Sequence, residues 1–430
     1  MEVTGANQNF LIYKPREHRA DAPRELTPAL WQGQMQKLVR VLSTAPAPSH
    51  APAVARVEGR DGKVLGPDNF LKADHFPGLH HDRLQETGQP KIEGAPNYRE
   101  LGENIHGTGQ PSLQGMRDVL KQAGAGPDGD KTAVWTNLRE EPVVYINGQS
   151  FNLRHVKAPF YNQASPGRSA QEVDALEKQL KQDILDEAAK NGGFITLHGE
   201  EGNPPKVVER KVKIESVQTV GEAYEQLQSE GYKVKYQRVP VTDMKKPEDG
   251  DIDELVKALK DVDPDAPLIF NCHAGQGRTT TAMVLASLMR KAKNGEEGKL
   301  LKDETLREDI KEQGKHNPSF YRTILNTIKD VQTVVRGEKD VDDVVKKYSD
   351  VADLKGAVGK ARRQAIEAKT PEERRAANQR AKDYLDRYHT LVSFEAYTRD
   401  QAPDFNQSYS QWKEAHPRID RTLEGLRAAQ

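Results

Sequence analysis

Val173, Leu176, Leu180 and Ile184 recur three and four positions apart among charged neighbours, a spacing that predicts one long amphipathic helix. Residues 132–138, 143–146, 150–153, 194–197, 207–214 and 234–241 read instead as strands. Between the second and third of these stands Asn147-Gly148, a hairpin signal, because the tight hairpin turn needs positive φ at both central positions. Helix starts are marked by side chains that can accept from the free N–H groups of a first turn. Ser112 opens a helix through Leu120, Thr219 with Glu222 opens one containing Ala223 and Leu227, and Asp251 with Glu254 opens one through Leu259. Leu268-Ile269-Phe270 has the short apolar character of a buried strand, and residues 282–289 are apolar nearly all round, as in a helix inside a domain. Strands alternating with helices predict an α/β domain whose central, mostly parallel sheet is flanked by helices.

Periodicity fades towards both ends. Residues 1–85 carry little of it, and the Pro/Ala run 43–55 favours an extended linker, so this segment is expected to be largely disordered, with one short helix compatible with 29–42. From about residue 337 the pattern becomes helical amid dense charge, with Val341, Val344, Val345 and Tyr348 on one face. Thr370-Pro371-Glu372-Glu373 joins an N-cap, a proline at the first helical position and a glutamate at the third, which starts a helix. The expected organisation is therefore an N-terminal segment 1–85, a domain 86–336 and a charged helical extension 337–430.

Composition narrows the function classes. With 64 Lys+Arg against 65 Asp+Glu, global charge gives no case for a nucleic-acid binder, and any basic site must be local. The single cysteine excludes an internal disulfide. No run approaches the roughly 20 apolar residues of a membrane span. No Sec signal peptide is visible in the first twenty residues, so the expected location is cytosolic, the alternative being an effector exported by another route into a host cell. His198 beside Glu200 and Glu201 lacks a further ligand at regular spacing and reads as a loop, so no metal and no cofactor are expected.

The chemistry is concentrated at Cys272-His273-Ala274-Gly275-Gln276-Gly277-Arg278-Thr279, between the 268–270 strand and the apolar helix. Backbone N–H groups of a glycine-containing loop can converge into an anion-binding nest, and the positive end of the following helix favours phosphate there. The same field lowers a thiol pKa, which makes Cys272 a candidate thiolate nucleophile. Gly275 and Gly277 allow the tight curvature. Arg278, six positions after the cysteine, can return to grip two phosphate oxygens at once, which a lysine cannot match. His273 and Gln276 shape the pocket, although such a loop acts mainly through its backbone, including Ala274.

This motif resembles the cysteine-phosphatase signature Cys-x5-Arg-Ser/Thr. Trp135-Thr136-Asn137-Leu138-Arg139-Glu140-Glu141-Pro142, Asn97-Tyr98-Arg99 and His106-Gly107-Thr108-Gly109-Gln110-Pro111-Ser112 narrow the resemblance to the PTP-like inositol polyphosphate phosphatases, the cysteine phytases and their paladin-like relatives. It runs from about residue 95 to 336. The resemblance implies a cysteine-phosphatase-type α/β core and catalysis by Cys272, Arg278, Asp243 as general acid and Thr279 as the hydroxyl that assists the thiolate. It further implies phosphate binding by Arg99. Lys245 and Lys246, beside the acid, are candidates for further phosphates, as are Lys311 and Lys315; with Arg99 and Arg139, the first two would form a collar for a small polyanionic substrate. One departure is Asn271, where many superfamily members carry a histidine that supports a low thiol pKa. The leading expectation is metal-independent hydrolysis of myo-inositol hexakisphosphate or lower inositol phosphates through a phospho-cysteine. A protein phosphotyrosine phosphatase and a non-catalytic inositol phosphate or phosphoinositide binder remain open alternatives. Protein partners are unspecified.

Overall fold

A computed structural model describes residues 60, 62–74, 91–102, 104–163, 165–202, 205–295, 340–346 and 354–417. The expected helix at 29–42, the linker at 43–55, Tyr348, Lys311 and Lys315 lie outside them.

Five strands form the central sheet: β2 (Arg99–Leu101), β3 (Ile105–Thr108), β4 (Ala133–Arg139), β10 (Val234–Val241) and β11 (Leu268–Asn271), in the order β10-β4-β11-β3-β2. All neighbours pair in parallel except β2, an antiparallel edge, as the alternating pattern predicts. Strand alternation divides the side chains between two cores. Val134, Leu138, Leu268 and Phe270 face α4 (Asp249–Leu259), α5 (Gly277–Lys293) and α7 (Pro371–Gln401). Ala133, Trp135, Ile269 and Val234 face α1 (Leu113–Gln122) and α3 (Val220–Ser229). Ile269 and Phe270 are fully enclosed, and each such side chain contributes about 1.5–3 kcal/mol relative to exposure.

A second sheet was not foreseen. Its six strands run in the order β8-β7-β1-β6-β5-β9, through β1 (Asn69–Ala73), β5 (Val143–Ile146), β6 (Gln149–His155), β7 (Phe194–Glu201), β8 (Lys206–Lys213) and β9 (Val217–Thr219). The amphipathic helix α2 (Ala170–Lys190) covers it with Leu180 and Ile184. Asn147 and Gly148 take φ values of 49° and 78°, closing the β5–β6 hairpin. β1 falls inside the 1–85 segment expected to be largely disordered, and it pairs with β6 over all five residues. Ser112 caps α1, and Thr219 and Glu222 cap α3, as expected. α4 starts earlier than the Asp251 start read from the sequence: Asp251 accepts from the Glu248 backbone N–H at 2.9 Å and so occupies the third helical position.

The expected C-terminal helices are present: residues 340–346, α6 (Leu354–Glu367), α7 and α8 (Tyr409–Ala415). Thr370 caps α7 with Pro371 in its first turn. This part is not a separable appendage, because Tyr388, Leu391, Val392 and Phe394 of α7 share one core with Ala282, Met283 and Leu285 of α5. Among the described residues no helix is long and apolar enough to cross a membrane.

Candidate active site

Four parallel strands deliver the candidate residues from their C-terminal ends, the usual place for a ligand in such a sheet. β11 runs into Cys272, β3 into Gly109 and Gln110, β4 into Glu140 and Glu141, and β10 into Asp243. The loop from Cys272 to Arg278 then leads into α5. Gly275 sits at φ +74°, and a Cβ there would collide with the Gly109 and Thr108 backbone, so this position accepts only glycine. The loop is fixed at both sides by its carbonyls: His273 O accepts from Gln110 N at 2.8 Å, and Ala274 O from Asn97 Nδ2 at 2.7 Å. Among the described residues no backbone carbonyl accepts from the N–H groups of Ala274, Gly275, Gly277 or Arg278. That leaves donors of the kind an anion-binding nest requires.

Cys272 is buried, with 3% of its surface exposed. Arg278 is equally buried, and Glu141 holds it end-on: Nη1 and Nη2 each donate to one carboxylate oxygen at 3.0 Å. Nη1 also donates to Val241 O at 3.1 Å. This leaves the Nε edge, the pair of donors that can grip two oxygens of one phosphate. Asp243 Oδ1 lies 3.3 Å from that Nε, while its Oδ2 accepts from Asn162 Nδ2 at 2.7 Å. The acid candidate Asp243 and the candidate phosphate-binding Arg278 are thus brought together. Burial works against charge on both Arg278 and Glu141, but their mutual attraction prevails. It holds the Arg278 pKa well above its ordinary value and, with Arg139, the Glu141 carboxyl well below its own.

The six-stranded sheet also reaches the loop. Arg154 on β6 places Nη2 3.4 Å from His273 Nε2, and Asp74, just after β1, places Oδ1 3.4 Å from the same atom. Burial first, then the Arg154, Arg139 and Lys72 charges, push the His273 pKa well below its ordinary value, so the imidazole is neutral at pH 7. Arg154 itself is lowered to about 10, mainly by burial. His198 and Glu200 lie in strand β7, not in a loop. His198 Nδ1 is 3.2 Å from Leu71 O, and Glu200 pairs with Lys72. Among the described residues no three acidic, histidine or cysteine side chains gather as metal ligands.

The expected collar is arranged differently from its sequence reading. Arg139 is fully buried and bonds Asp74 at 2.8 Å and Glu141 at 2.9 Å. Arg99 is buried too, and it ties Asn97 O to Thr280 Oγ1 at 2.9 and 2.8 Å, which anchors its guanidinium between those segments. Lys245 and Lys246 are the collar residues in contact with solvent, paired with Asp383 at 3.2 Å and Glu248 at 3.6 Å. Thr279 is buried and its hydroxyl donates to Thr108 O at 3.4 Å, a bond it must exchange to reach the thiolate. Asn271 accepts from Trp135 Nε1 at 2.9 Å and donates to Gln110 Oε1 at 3.0 Å. Its amide is therefore spent on joining β11 to β4 and to the strand-end segment after β3. The sequence reading did not assign functions to Glu141, Arg154, Asp74 or Arg387. Glu141 alone carried a signal, lying within the Trp135–Pro142 segment on which the family resemblance rests.

Comparison with known proteins bears on the family and the fold. Residues 136–290 match the family model for PTP-like phytase, described as inositol hexakisphosphate, a match shorter than half the chain. Paladin from Gallus gallus is 28% identical over 332 residues, covering 74% of this chain and 36% of that protein. The effector protein hopD2 of Pseudomonas syringae pv. tomato is 26% identical over 190 residues, covering 43% of this chain and 36% of that protein. The chain thus spans well under half the length of these curated relatives. The PTP-like myo-inositol phosphatase from Mitsuokella multacida, solved with myo-inositol-(1,3,4,5)-tetrakisphosphate, superposes with a TM-score of 0.52 at 18% identity, covering 85% of this chain and 50% of that one. The resemblance to PTP-like inositol phosphatases and paladin-like proteins therefore holds, and the chain has their fold.

Proposed function

We propose that this chain is a cysteine-dependent phosphatase that removes phosphate from myo-inositol hexakisphosphate or lower inositol polyphosphates. The observation that carries the reading is the Arg278 constellation: a guanidinium clamped by Glu141, with its Nε edge beside Asp243, at the end of a loop that begins with Cys272. The Cys272 thiolate attacks phosphorus, and the ester P–O bond breaks as the inositol oxygen leaves with a proton from Asp243. Asp243, now ionised, takes a proton from water as that water attacks the phospho-cysteine. The P–S bond breaks, inorganic phosphate leaves and the thiolate is restored. Arg278 and the loop N–H groups stabilise the charge on the phosphoryl oxygens in both steps.

The fold likeness to a phosphatase solved with an inositol tetrakisphosphate supports the polyphosphate class of substrate, as do Lys245 and Lys246 at the solvent edge of the site. Comparing kcat/KM on inositol hexakisphosphate and on a phosphotyrosine peptide tests the choice. A preference of at least about tenfold for the inositol phosphate is expected, and a preference for the peptide overturns the substrate assignment. For the cellular setting, the reading is a cytosolic role, with delivery into a host as the alternative that the likeness to the Pseudomonas effector supports. Replacing residues 1–59, which leaves β1 and Asp74 in place, with an unrelated leader should abolish delivery and spare catalysis; loss of catalysis in that variant would defeat the separation.

A further inference from the structure

Arg387 lies in the middle of α7, outside the segment matched by the family model. Only 6% of its surface is exposed. Among the described residues its guanidinium makes one hydrogen bond, from Nη2 to Lys245 O at 3.2 Å, and its buried Nε has no partner. No carboxylate among the described residues pairs with it. The remaining neighbour is the Tyr384 ring, 5.8 Å from the guanidinium carbon. Nη1 stands 3.3 Å, and Cζ and Nη2 3.9 Å, from where a Cβ on Gly277 would begin. The group is thus applied to the last residue of the loop before Arg278. Asp243, Asp383 and Cys272 all act on it electrostatically in the direction of keeping its charge, against the effect of burial.

A buried cation with one carbonyl acceptor among the described residues is costly, because its lost hydration goes largely uncompensated. Among the described residues, the buried guanidiniums of Arg139, Arg238 and Arg278 are neutralised by carboxylates, Arg139 by Asp74 and Glu141, Arg238 by Glu177 at 2.7 Å and Arg278 by Glu141. Arg387 is held in place without such a partner, by a helix whose flanking Tyr388 and Leu391 are locked into the α5 core. Its four unused N–H donors are available to an anion arriving at the loop.

We infer that Arg387 is a second phosphate-binding guanidinium of the site, so that α7 forms part of the binding wall and contributes directly to anion affinity. This rests on the loop being a phosphate site, as proposed above. Gly277, unlike Gly275, does not take a positive φ, so its reason for being glycine is steric: a side chain there would occupy the approach of Arg387 to the bound anion.

Calorimetric titration of inorganic phosphate and inositol hexakisphosphate into Cys272→Ser protein separates the two readings. Adding Arg387→Met is expected to weaken both ligands at least tenfold, and Arg387→Lys less, with thermal unfolding recorded to show that each variant is folded. Asp383→Asn tests loop pinning separately, since it frees the Lys245 side chain from α7 while leaving Arg387 in place; because it also removes a negative charge near the site, its affinities are expected to hold or tighten, not weaken. If Arg387→Met and Arg387→Lys both leave the affinities within threefold, the assignment of Arg387 is overturned and the phosphatase reading stands. Equal weakening by Asp383→Asn and Arg387→Met also overturns it, because loop pinning would then account for the effect. If Cys272→Ser protein with Arg387 intact binds neither ligand, both readings fall together.

Discussion

Replacing Glu141 by glutamine tests whether the site is built around a buried charge cluster. The Glu141 oxygens accept three guanidinium hydrogen bonds, from Arg139 Nε at 2.9 Å and from Arg278 Nη1 and Nη2 at 3.0 Å each. Both arginines are enclosed, so solvent cannot take over when the carboxylate is lost. Glutamine keeps the shape and one acceptor, but it turns the other oxygen into an N–H₂ group facing a guanidinium. Removing one partner of a buried pair costs about 3–5 kcal/mol, chiefly because the remaining cation is left uncompensated. With an m-value of about 2–3 kcal/mol/M, the urea midpoint should fall by roughly 1–2.5 M. Fluorescence of the buried Trp135 can follow the transition, with calorimetry checking that it is two-state. The pH dependence carries a definite sign. The folded-state pKa of Glu141 lies below its unfolded value, so its contribution is complete above the unfolded carboxylate pKa of about 4.3. It is lost only as pH falls through the folded value. The gap between wild type and variant should therefore be flat from pH 6 to 8 and close only in acid. A loss below about 1 kcal/mol at pH 7 would refute the reasoning, since that is the range of an exposed pair.

Asp243→Asn should lower kcat by about 10²–10⁴-fold on an inositol phosphate, whose alkoxide leaves poorly, and by much less on an aryl phosphate with a good leaving group. Equal losses on both substrates in steady-state assays would remove Asp243 from the acid role. Asn271→Ala leaves the buried Trp135 indole and the Gln110 amide oxygen without partners, at about 1–3 kcal/mol each. It should reduce stability in urea unfolding more than it alters the pH dependence of thiol alkylation, and the reverse order would show that Asn271 acts on the thiol instead.

The parts legible in the sequence were those governed by local chemistry. Asn147-Gly148 has the turn residues its conformation demands, Thr219 and Thr370 accept from the N–H groups of the helices they open, and the strand, glycine loop and apolar helix around Cys272 follow one another without interruption. β1 was missed because it is five residues long and includes a lysine, Lys72, which the fold buries in an ion pair with Glu200. β7 was cut short at Leu197 for a similar reason, since its last four residues are His198-Gly199-Glu200-Glu201. Arg139 was read as part of a substrate collar, and Arg154 and Arg387 drew no reading, because hydropathy does not show which charges the fold encloses. Besides near neighbours such as Glu141, their partners include Asp74 for Arg139, His273 for Arg154 and Lys245 for Arg387, which lie 65, 119 and 142 residues away and are brought close by the tertiary structure. The same holds for Arg99, whose neighbourhood resembled a family motif but whose bonds run to Asn97 and Thr280.

The central claim is covalent catalysis by Cys272 at this loop. Its most direct test is release of inorganic phosphate from myo-inositol hexakisphosphate in the presence of chelator, comparing wild type with Cys272→Ser. The account predicts steady release by the wild type and none by the serine variant, with a phospho-cysteine trapped by acid quench of the wild type alone. Release that persists in a folded Cys272→Ser protein, or its absence from folded wild type, would contradict it.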